Sequence, residues 1–209
     1  MSEENGRHDF EVVSSEDVYK GAILALRADR LTMPGGGVAT REVVEHYGAV
    51  AIVAIDERDQ VVLIHQYRHP LGKRLWELPA GLLDKPGESA VDTARRELVE
   101  EVGLTAADWS ALVDVASSPG FTDEAVRVFL ARELTEVPRE IEQGNEETDL
   151  EIHRVPLAEA MRMAFAGELV NEQAVVGVLA AHAVLSGVAS ARPADAPWTD
   201  RPTRFAARR

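Results

Sequence analysis

The 209-residue sequence contains no cysteine, few aromatic residues and no long hydrophobic run. Without cysteine the chain can form no disulfide, no thiolate metal site and no cysteine nucleophile. Its longest uninterrupted apolar run, AVAIVAI from Ala49 to Ile55, is far too short to cross a bilayer. The N-terminus MSEENGRHDF is acidic and polar, unlike a secretory signal. We therefore expect the protein to be cytoplasmic.

Basic residues are also scarce. The chain has 22 Lys and Arg against 36 Asp and Glu, for a formal net charge of −14. Binding to a nucleic-acid backbone depends on clustered Lys and Arg, so the charge argues against a polynucleotide partner. A small phosphorylated ligand remains compatible with this charge, because a divalent cation held by carboxylates can reverse the local field.

The first half of the chain has a strand-rich pattern. Two candidate strands lie between Phe10 and Tyr47, separated by the breaker Pro34-Gly35-Gly36-Gly37. The segments GAVAIVAID and VVLIHQYR then predict a pair of buried strands joined by the short loop ERDQ. The segment LWELPAGLL predicts a further strand that ends near Pro79.

Helices enter the pattern after the turn DKPGE. Ser89 as N-cap and Gly103 as C′ residue predict a helix from about Ala90 to Val102. Strand patterns in ALVDVA, AVRVFLARE and LEIHRV precede helical patterns in PLAEAMRMAFAGE and, capped by Asn171, EQAVVGVLAAHAVLSG. These elements predict a mixed α/β sandwich. The tail, residues 191–209, is rich in Pro and charge, so we expect an extended arm or a mobile end.

The predicted helix carries like charges close together. Advancing roughly 100° per residue places Glu97, Glu100 and Glu101 in an arc of about 100° beside the apolar stripe, with no basic residue in that arc. The apolar stripe consists of Val91, Ala94, Leu98 and Val102. An acidic helix face in water is the common explanation. A hard divalent cation such as Mg²⁺ or Mn²⁺ would instead turn the repulsion into coordination.

The same residues resemble a known family motif. Glu88, seven further residues and then Arg96-Glu97-Leu98-Val99-Glu100-Glu101-Val102-Gly103-Leu104 are similar to the Nudix box, Gx5Ex7REUxEExGU, in which U is aliphatic. One position departs from the motif, because six residues rather than five separate Gly81 from Glu88. The extra residue falls in the turn before the helix, where we expect the loop to absorb it without a change of helix register.

The resemblance implies an enzyme that hydrolyses a nucleoside diphosphate linked to another group, with Mg²⁺ or Mn²⁺ as cofactor. It implies the Nudix α/β/α sandwich with a mixed central sheet. By this resemblance Glu97 and Glu101 coordinate metal, Glu100 is a further or water-mediated ligand, and the carbonyl of Ala80 is a backbone ligand. Arg96 is implied as the ion-pair partner that orients the acids.

A wider resemblance, from Phe10 to roughly Gly187, is to the ADP-ribose pyrophosphatases. The segment HQYRHPLGKRLWELPAGLLD is similar to the segment before their Nudix box, which implies that Arg68 and Glu77 line the substrate and metal pocket. Pro119, 15 residues after Leu104, matches a proline associated with ADP-sugar specificity. Arg68 and Pro119 also have structural alternatives, a strand-end arginine and an ordinary Pro-Gly turn. A lone Glu77 in an apolar strand would need a partner, which favours a role in the site.

Water activation and assembly are implied by the same subfamily. Its catalytic base comes from an acidic loop before a late strand, here REIEQGNEETDLEIHRV, in which Glu147 is our first choice and Glu146 the second. A solvated acidic loop is the alternative. The subfamily also implies an N-terminal β segment, residues 1–46, that forms a small antiparallel sheet and swaps within a homodimer, followed by a Nudix domain at 47–190 and the tail at 191–209.

Three hypotheses follow from these patterns. The leading one is Mg²⁺-dependent hydrolysis of ADP-ribose to AMP and ribose 5-phosphate. The second is a Nudix hydrolase of another sugar nucleotide or of an oxidised nucleotide. The third is a regulatory Nudix domain that binds a nucleotide without catalysis. All three exclude a nucleic-acid polymer and a membrane as partners.

Overall fold

A computed structural model of the chain describes residues 8–139 and 146–208, apart from the side chains of Glu146 and Glu147. It confirms the predicted mixed α/β class, with eleven strands and three α-helices in the described residues. The strands are β1 Val12–Lys20, β2 Leu24–Thr32, β3 Val38–His46, β4 Ala49–Ala54, β5 Gln60–Arg68, β6 Lys73–Glu77, β7 Ala80–Leu82, β8 Leu104–Ala116, β9 Ala125–Glu136, β10 Glu151–Pro156 and β11 Arg192–Pro193. The helices are α1 Ala90–Val102, α2 Leu157–Phe165 and α3 Glu172–Leu185.

Contacts divide the chain into two compact units. One unit contains the N-terminal segment up to Tyr47, Ala116–Glu124 and the end of the chain from Pro202. The other contains Gly48–Val115 and Ala125–Arg201. In the described part of both units, no helix combines the length and apolar character that crossing a membrane requires.

The first unit is built on an antiparallel sheet in the order β1-β2-β3. The predicted breaker forms the β2–β3 turn, closed by Met33 N–H donating to the Gly37 carbonyl at 2.8 Å. Gly35 and Gly36 have φ values of 88° and 93°, which side chains disfavour, so the turn depends on glycine. All nine residues of β1 are exposed, although the strand includes Val12 and Val18.

The second unit contains two sheets and corrects one strand prediction. Its larger sheet has the order β11-β8-β9-β4-β7, and its smaller sheet the order β10-β5-β6. The pair predicted from GAVAIVAID and VVLIHQYR was wrong: β4 and β5 lie in different sheets and meet only at an isolated bridge between Ile55 and Val61. Both edges of β4 are occupied, by parallel β9 and antiparallel β7. An apolar run indicates burial but not the pairing partner.

The predicted strand LWELPAGLL is also divided. Strand β6 ends at Glu77 in the smaller sheet, and β7 begins at Ala80 in the larger one. Proline has no N–H to continue a ladder, so Pro79 breaks the strand there. Its carbonyl accepts a hydrogen bond from Ile52 N–H at 2.8 Å, which directs the chain into the second sheet.

Strand β4 separates two apolar cores. On one side Val50 and Ile52 pack in a cluster with Leu98 of α1. On the other, Val53 packs in a cluster with Val178 of α3. Each such side chain contributes about 1.5–3 kcal/mol by leaving water. The central sheet therefore has α1 on one face and α3 on the other, as a sandwich requires.

The C-terminal tail packs as an arm that includes the short strand β11 and ends in a 3₁₀ turn at Ala206–Arg208. Within the second unit, the Arg127 guanidinium donates to the carbonyls of Ala196 at 2.6 Å and Pro197 at 3.1 Å. Within the first unit, Phe205 is buried, and its ring meets that of Tyr47 edge to face at 4.6 Å. Both segments of the arm are thus fixed by specific contacts, in agreement with the first of the two predicted alternatives.

Candidate active site

Helix α1 runs from Ala90 to Val102, as predicted. The Ser89 hydroxyl accepts a hydrogen bond from Asp92 N–H at 3.2 Å and so caps the first turn. Gly103 ends the helix with a φ of 65°. The extra residue before the helix is absorbed in the turn, where Glu88 N–H donates to the Lys85 carbonyl. The helix register of the motif is therefore intact.

One arginine binds three acids along this helix. The Arg96 guanidinium lies 2.6 Å from Glu97 Oε1, 2.7 Å from Glu100 Oε2 and 3.1 Å from Glu88 Oε2. The ion-pair role that the family resemblance implied for Arg96 agrees with these contacts, although the helical wheel placed no basic residue in the acidic arc. A helical wheel places Cβ directions, whereas the long Arg96 side chain can reach acids on both sides. Burial disfavours the charge on Arg96, but these acids outweigh it and raise the pKa of Arg96.

Glu97 faces the backbone of β7. A Cβ atom at Gly81 would collide with the Glu97 carboxyl group, so glycine lets that carboxylate take the position it has here. Burial of this carboxylate raises the pKa of Glu97, and the nearby Arg96 opposes that rise without cancelling it. The close approach gives a physical reason for glycine at the first position of the motif.

Glu101 connects α1 to the same strand. Its Oε2 atom accepts a hydrogen bond from Ala80 N–H at 2.8 Å. The backbone of Ala80, whose carbonyl was the predicted backbone ligand, therefore lies beside the helix carboxylates. Glu100 is more exposed, and Lys85 Nζ lies 3.9 Å from its Oε1 atom. The structure thus places all four predicted metal-site residues along one junction between α1 and β7.

These residues fit a hard divalent cation in the kind of donor they offer. Carboxylate and carbonyl oxygens are the donors that Mg²⁺ and Mn²⁺ prefer. Gly81 leaves space that a side chain would fill, next to the carboxylate of Glu97. Among the side chains of residues 8–139 and 148–208, no three acidic or histidine groups converge as a ready ligand group. The carboxylates of Glu97 and Glu100 are directed to Arg96 instead.

A second charged group lies on strands β5 and β6. Glu77 is only 2% exposed, and Arg68 donates two hydrogen bonds to it at 2.8 and 2.6 Å. Gln66 donates a third at 3.0 Å. Glu77 is directly opposite Ile64 in the ladder, and Ile64 packs in the α1 core with Leu98. Glu77 therefore lies on the face of its sheet that supports α1.

The remaining predicted residues lie elsewhere. Pro119 belongs to the Ala116–Glu124 segment of the first unit. Glu146 and Glu147 begin a 3₁₀ turn that ends at Asp149, but their side chains lie outside the described part of the chain. Arg74 holds the end of this turn, with its guanidinium 2.5 Å from Asp149 Oδ2.

Comparison with known families decides the assignment. The NUDIX domain model matches residues 45–175, and the model of the nucleoside diphosphate sugar hydrolase N-terminal domain matches residues 10–44. The chain belongs to the Nudix family. The resemblance of the helix motif to the Nudix box is thereby confirmed.

Relatives of this Nudix protein extend over most of its length. It is 58% identical over 202 residues to an ADP-ribose pyrophosphatase of Mycobacterium tuberculosis, covering 97% of each chain. It is 34% identical to an ADP-ribose pyrophosphatase of Bacillus subtilis, covering 79% of this chain and 89% of the relative. The crystal structure of an ADP compounds hydrolase shares the fold, with a TM-score of 0.77 at 24% identity over 88% of this chain and 98% of the other.

Two polar residues of the Nudix domain bind either a site residue or the acidic loop, although their sequence positions were not among those predicted. Gln66 shares a face with Arg68 by the two-residue period of a strand, so alternation could have identified it beside Glu77. Arg74 gave no such signal, because its contact with Asp149 joins residues 75 positions apart. That contact depends on β10 and β6 both pairing with β5.

Proposed function

We propose that this Nudix protein hydrolyses the diphosphate of ADP-ribose, giving AMP and ribose 5-phosphate. The observation that carries the proposal is the junction of α1 and β7, where half-buried carboxylates gather around one arginine beside a strand that has no side chain at Gly81. A relative with 58% identity over nearly the full chain is an ADP-ribose pyrophosphatase, which favours the same substrate.

Divalent metal is the cofactor, and we assign Mg²⁺, with Mn²⁺ as a substitute. Glu97, Glu100 and Glu101 would hold it together with the carbonyl of Ala80. When bound, the cation neutralises the diphosphate, polarises phosphorus and lowers the pKa of a bound water. Arg96 orients the acids, because its guanidinium already contacts two of them.

We assign substrate binding to residues outside α1. The Arg68 side chain is 41% exposed while it holds Glu77, so it can still donate to a diphosphate. We assign Pro119 to selection of the ADP moiety. Buried Glu77 keeps the Arg68 guanidinium oriented through two hydrogen bonds.

For hydrolysis the oxygen of water attacks phosphorus, and the bond from that phosphorus to the bridging oxygen breaks. We assign acceptance of the water proton to Glu147, with Glu146 as the second candidate. Arg74 fixes the end of the turn that carries both residues, since it binds Asp149. The departing phosphate group takes up the proton that balances the reaction.

For assembly we propose a homodimer in which the N-terminal segment, residues 1–46, is exchanged between subunits. The exposure of apolar side chains along β1 supports this proposal, because a partner would remove them from water. Residues 47–190 form the Nudix domain, and residues 191–209 form the tail. We place the reaction in the cytoplasm, with a small-molecule partner only.

A substrate panel tests the activity. Purified protein with Mg²⁺ is incubated with ADP-ribose, GDP-mannose, NADH and 8-oxo-dGTP, and release of AMP or another monophosphate is measured. We expect ADP-ribose to give the highest kcat/KM. No turnover of any substrate would refute the proposal that the protein is an enzyme.

A second candidate is hydrolysis of another nucleoside diphosphate sugar. The observation that favours it is the match of residues 10–44 to an N-terminal domain described for nucleoside diphosphate sugar hydrolases in general. Preference for GDP-mannose over ADP-ribose in the same panel would support this candidate and overturn only the choice of substrate.

A further inference from the structure

The segment that carries Pro119 is bound to the edge of the N-terminal sheet. Val44 N–H of β3 donates to the Phe121 carbonyl at 2.7 Å, and Asp123 N–H donates to the Val44 carbonyl at 3.1 Å. A bridge between Val44 and Thr122 runs parallel to β3. The segment therefore extends the β1-β2-β3 sheet by one short piece of strand.

The Asp123 side chain continues this ladder where the backbone does not. Its Oδ1 atom accepts a hydrogen bond from His46 N–H at 2.9 Å. His46 is two residues beyond Val44, so its N–H is the next donor on the same edge of β3. The carboxylate thus takes the place that a backbone carbonyl would have in a longer strand.

Other contacts make the segment a closed loop. Ser117 N–H donates to the Glu124 carbonyl at 2.9 Å and joins the two ends. Ser118 has a φ of 47°, a left-handed conformation that is costly for a residue with a side chain. Pro119 follows this strained residue directly, so its position depends on the contacts that hold the rest of the loop.

We infer that Asp123 is a positioning residue for substrate selection, which fixes the Pro119 loop to β3 through His46 N–H. The inference rests on the proposed role of Pro119 in selecting the ADP moiety. Loss of the Asp123 acceptor removes the ladder contact at His46 N–H, and the loop then depends on the backbone bonds of Val44 and the His46–Glu124 side-chain pair at 3.5 Å. Pro119 then samples several positions, and binding of the adenine nucleotide weakens while the carboxylates of α1 are unaffected.

The test compares two substrates that differ only in the base, ADP-ribose and GDP-ribose. We expect Asp123→Ala to raise the KM for ADP-ribose about tenfold, the effect of losing one charge-assisted hydrogen bond, and to lower the preference for ADP-ribose by a similar factor. The kcat should stay within about twofold, since the catalytic groups are unchanged. Asp123→Asn should restore the KM, because its amide oxygen still accepts from His46 N–H.

Asp56→Ala is the matched control. Asp56 Oδ1 accepts hydrogen bonds from Gln60 N–H and Arg58 N–H, both at 2.9 Å, in the loop between β4 and β5. The substitution removes the same kind of contact from a different loop, together with an ion pair between Asp56 and Arg154 at 3.3 Å. We expect it to leave the ratio of kcat/KM values for the two substrates unchanged.

An unchanged KM in Asp123→Ala, or an equal loss for both substrates, would overturn the inference, because a merely structural role affects both bases alike. If Asp123→Ala does not fold, Asp123→Glu keeps the charge but displaces the acceptor by one methylene, and the same ratio is measured. If the wild type turns over no ADP-ribose, the proposed function fails. Hydrogen exchange at His46 N–H then tests whether Asp123 holds the loop to β3. Faster exchange in the variant supports this contact, and equal exchange refutes it.

Discussion

Two clusters of acids and arginines differ in how fully their charges are matched. At α1, Arg96 binds Glu88, Glu97 and Glu100 at 2.6–3.1 Å, and the exposed Lys85 approaches only Glu100, at 3.9 Å. The second cluster, which we call the N-terminal network, consists of Arg27, Arg208, Asp17, Asp29 and Glu45. In it two arginines serve three acids, and Glu45 binds both of them.

The pKa directions reflect this difference. In the N-terminal network burial opposes the charge of Glu45, but its hydrogen bonds to Arg208 and Arg27 outweigh that effect and lower the pKa of Glu45. On α1 burial prevails over Arg96 and the more distant Lys85, and it raises the pKa of Glu97. A network with well-matched charges stabilises the fold, whereas an under-matched one is suited to a cation from solution.

The largest expected effect is a loss of activity after substitution of a carboxylate on α1. Glu101→Gln should lower kcat/KM for ADP-ribose by at least about 100-fold, because it removes a carboxylate ligand. The fold should remain, since the Gln oxygen can still accept from Ala80 N–H. Steady-state kinetics and circular dichroism measure the two effects. Glu172→Gln, an exposed acid of α3, is the control, and equal activity of both variants would refute the ligand role of Glu101.

The next largest effect is a loss of stability after substitution in the N-terminal network. Glu45→Gln should destabilise the protein by about 2–3 kcal/mol, because two arginines lose their shared buried carboxylate. Urea unfolding measures the change. Glu42→Gln, on an exposed position of the same strand, should change the stability little. A comparable loss in both variants would show that burial of the network does not matter.

Acid should weaken the same network. The pKa values of Asp17, Asp29 and Glu45 are lowered in the folded state, so their contribution is fully present above the unfolded values of 3.8 and 4.5. It is lost as the pH falls through the lowered values. Unfolding curves from pH 6 to pH 3 should therefore show a smaller loss of stability in Glu45→Gln than in the wild type. Parallel loss in the two proteins would contradict the assignment.

The smallest effect is expected at Arg95, beside Arg96 on the helix. Arg95 forms an exposed pair with Asp92 at 2.8 Å. Arg95→Ala should change stability by at most about 0.5 kcal/mol and leave activity intact. Arg96→Ala should lower activity clearly, because three acids lose their common partner. Similar activities of the two variants would mean that Arg96 does not orient the acids.

Local features of the fold could be predicted, and long-range ones could not. Helix α1 was predicted to the residue, since Ser89 and Gly103 cap it through contacts with near neighbours. The separation of β4 and β5 into two sheets depends on β9, in which Val126 pairs with Ala49 of β4 from 77 positions later in the chain, so no nearby residue indicated it.

For the candidate site, too, the sequence indicated local features but not long-range contacts. Fixed spacing in the motif identified the acids of α1, and isolation in an apolar strand indicated that Glu77 needs a partner. The geometry of long side chains was missed, as for Arg96. So were contacts set by strand register, such as those of Gln66 and Arg74. A sequence pattern places backbones and Cβ directions, whereas these contacts depend on the full reach of a side chain.

Calorimetric titration of Mg²⁺ into the wild type and into the double variant Glu97→Gln/Glu101→Gln tests the central claim without any substrate. We predict saturable binding to the wild type and none to the double variant, with both proteins folded. Bound Mg²⁺ should also raise the unfolding temperature of the wild type alone, because a ligand of the folded state stabilises it. Equal binding to the two proteins would contradict the assignment of the α1 carboxylates as the metal site.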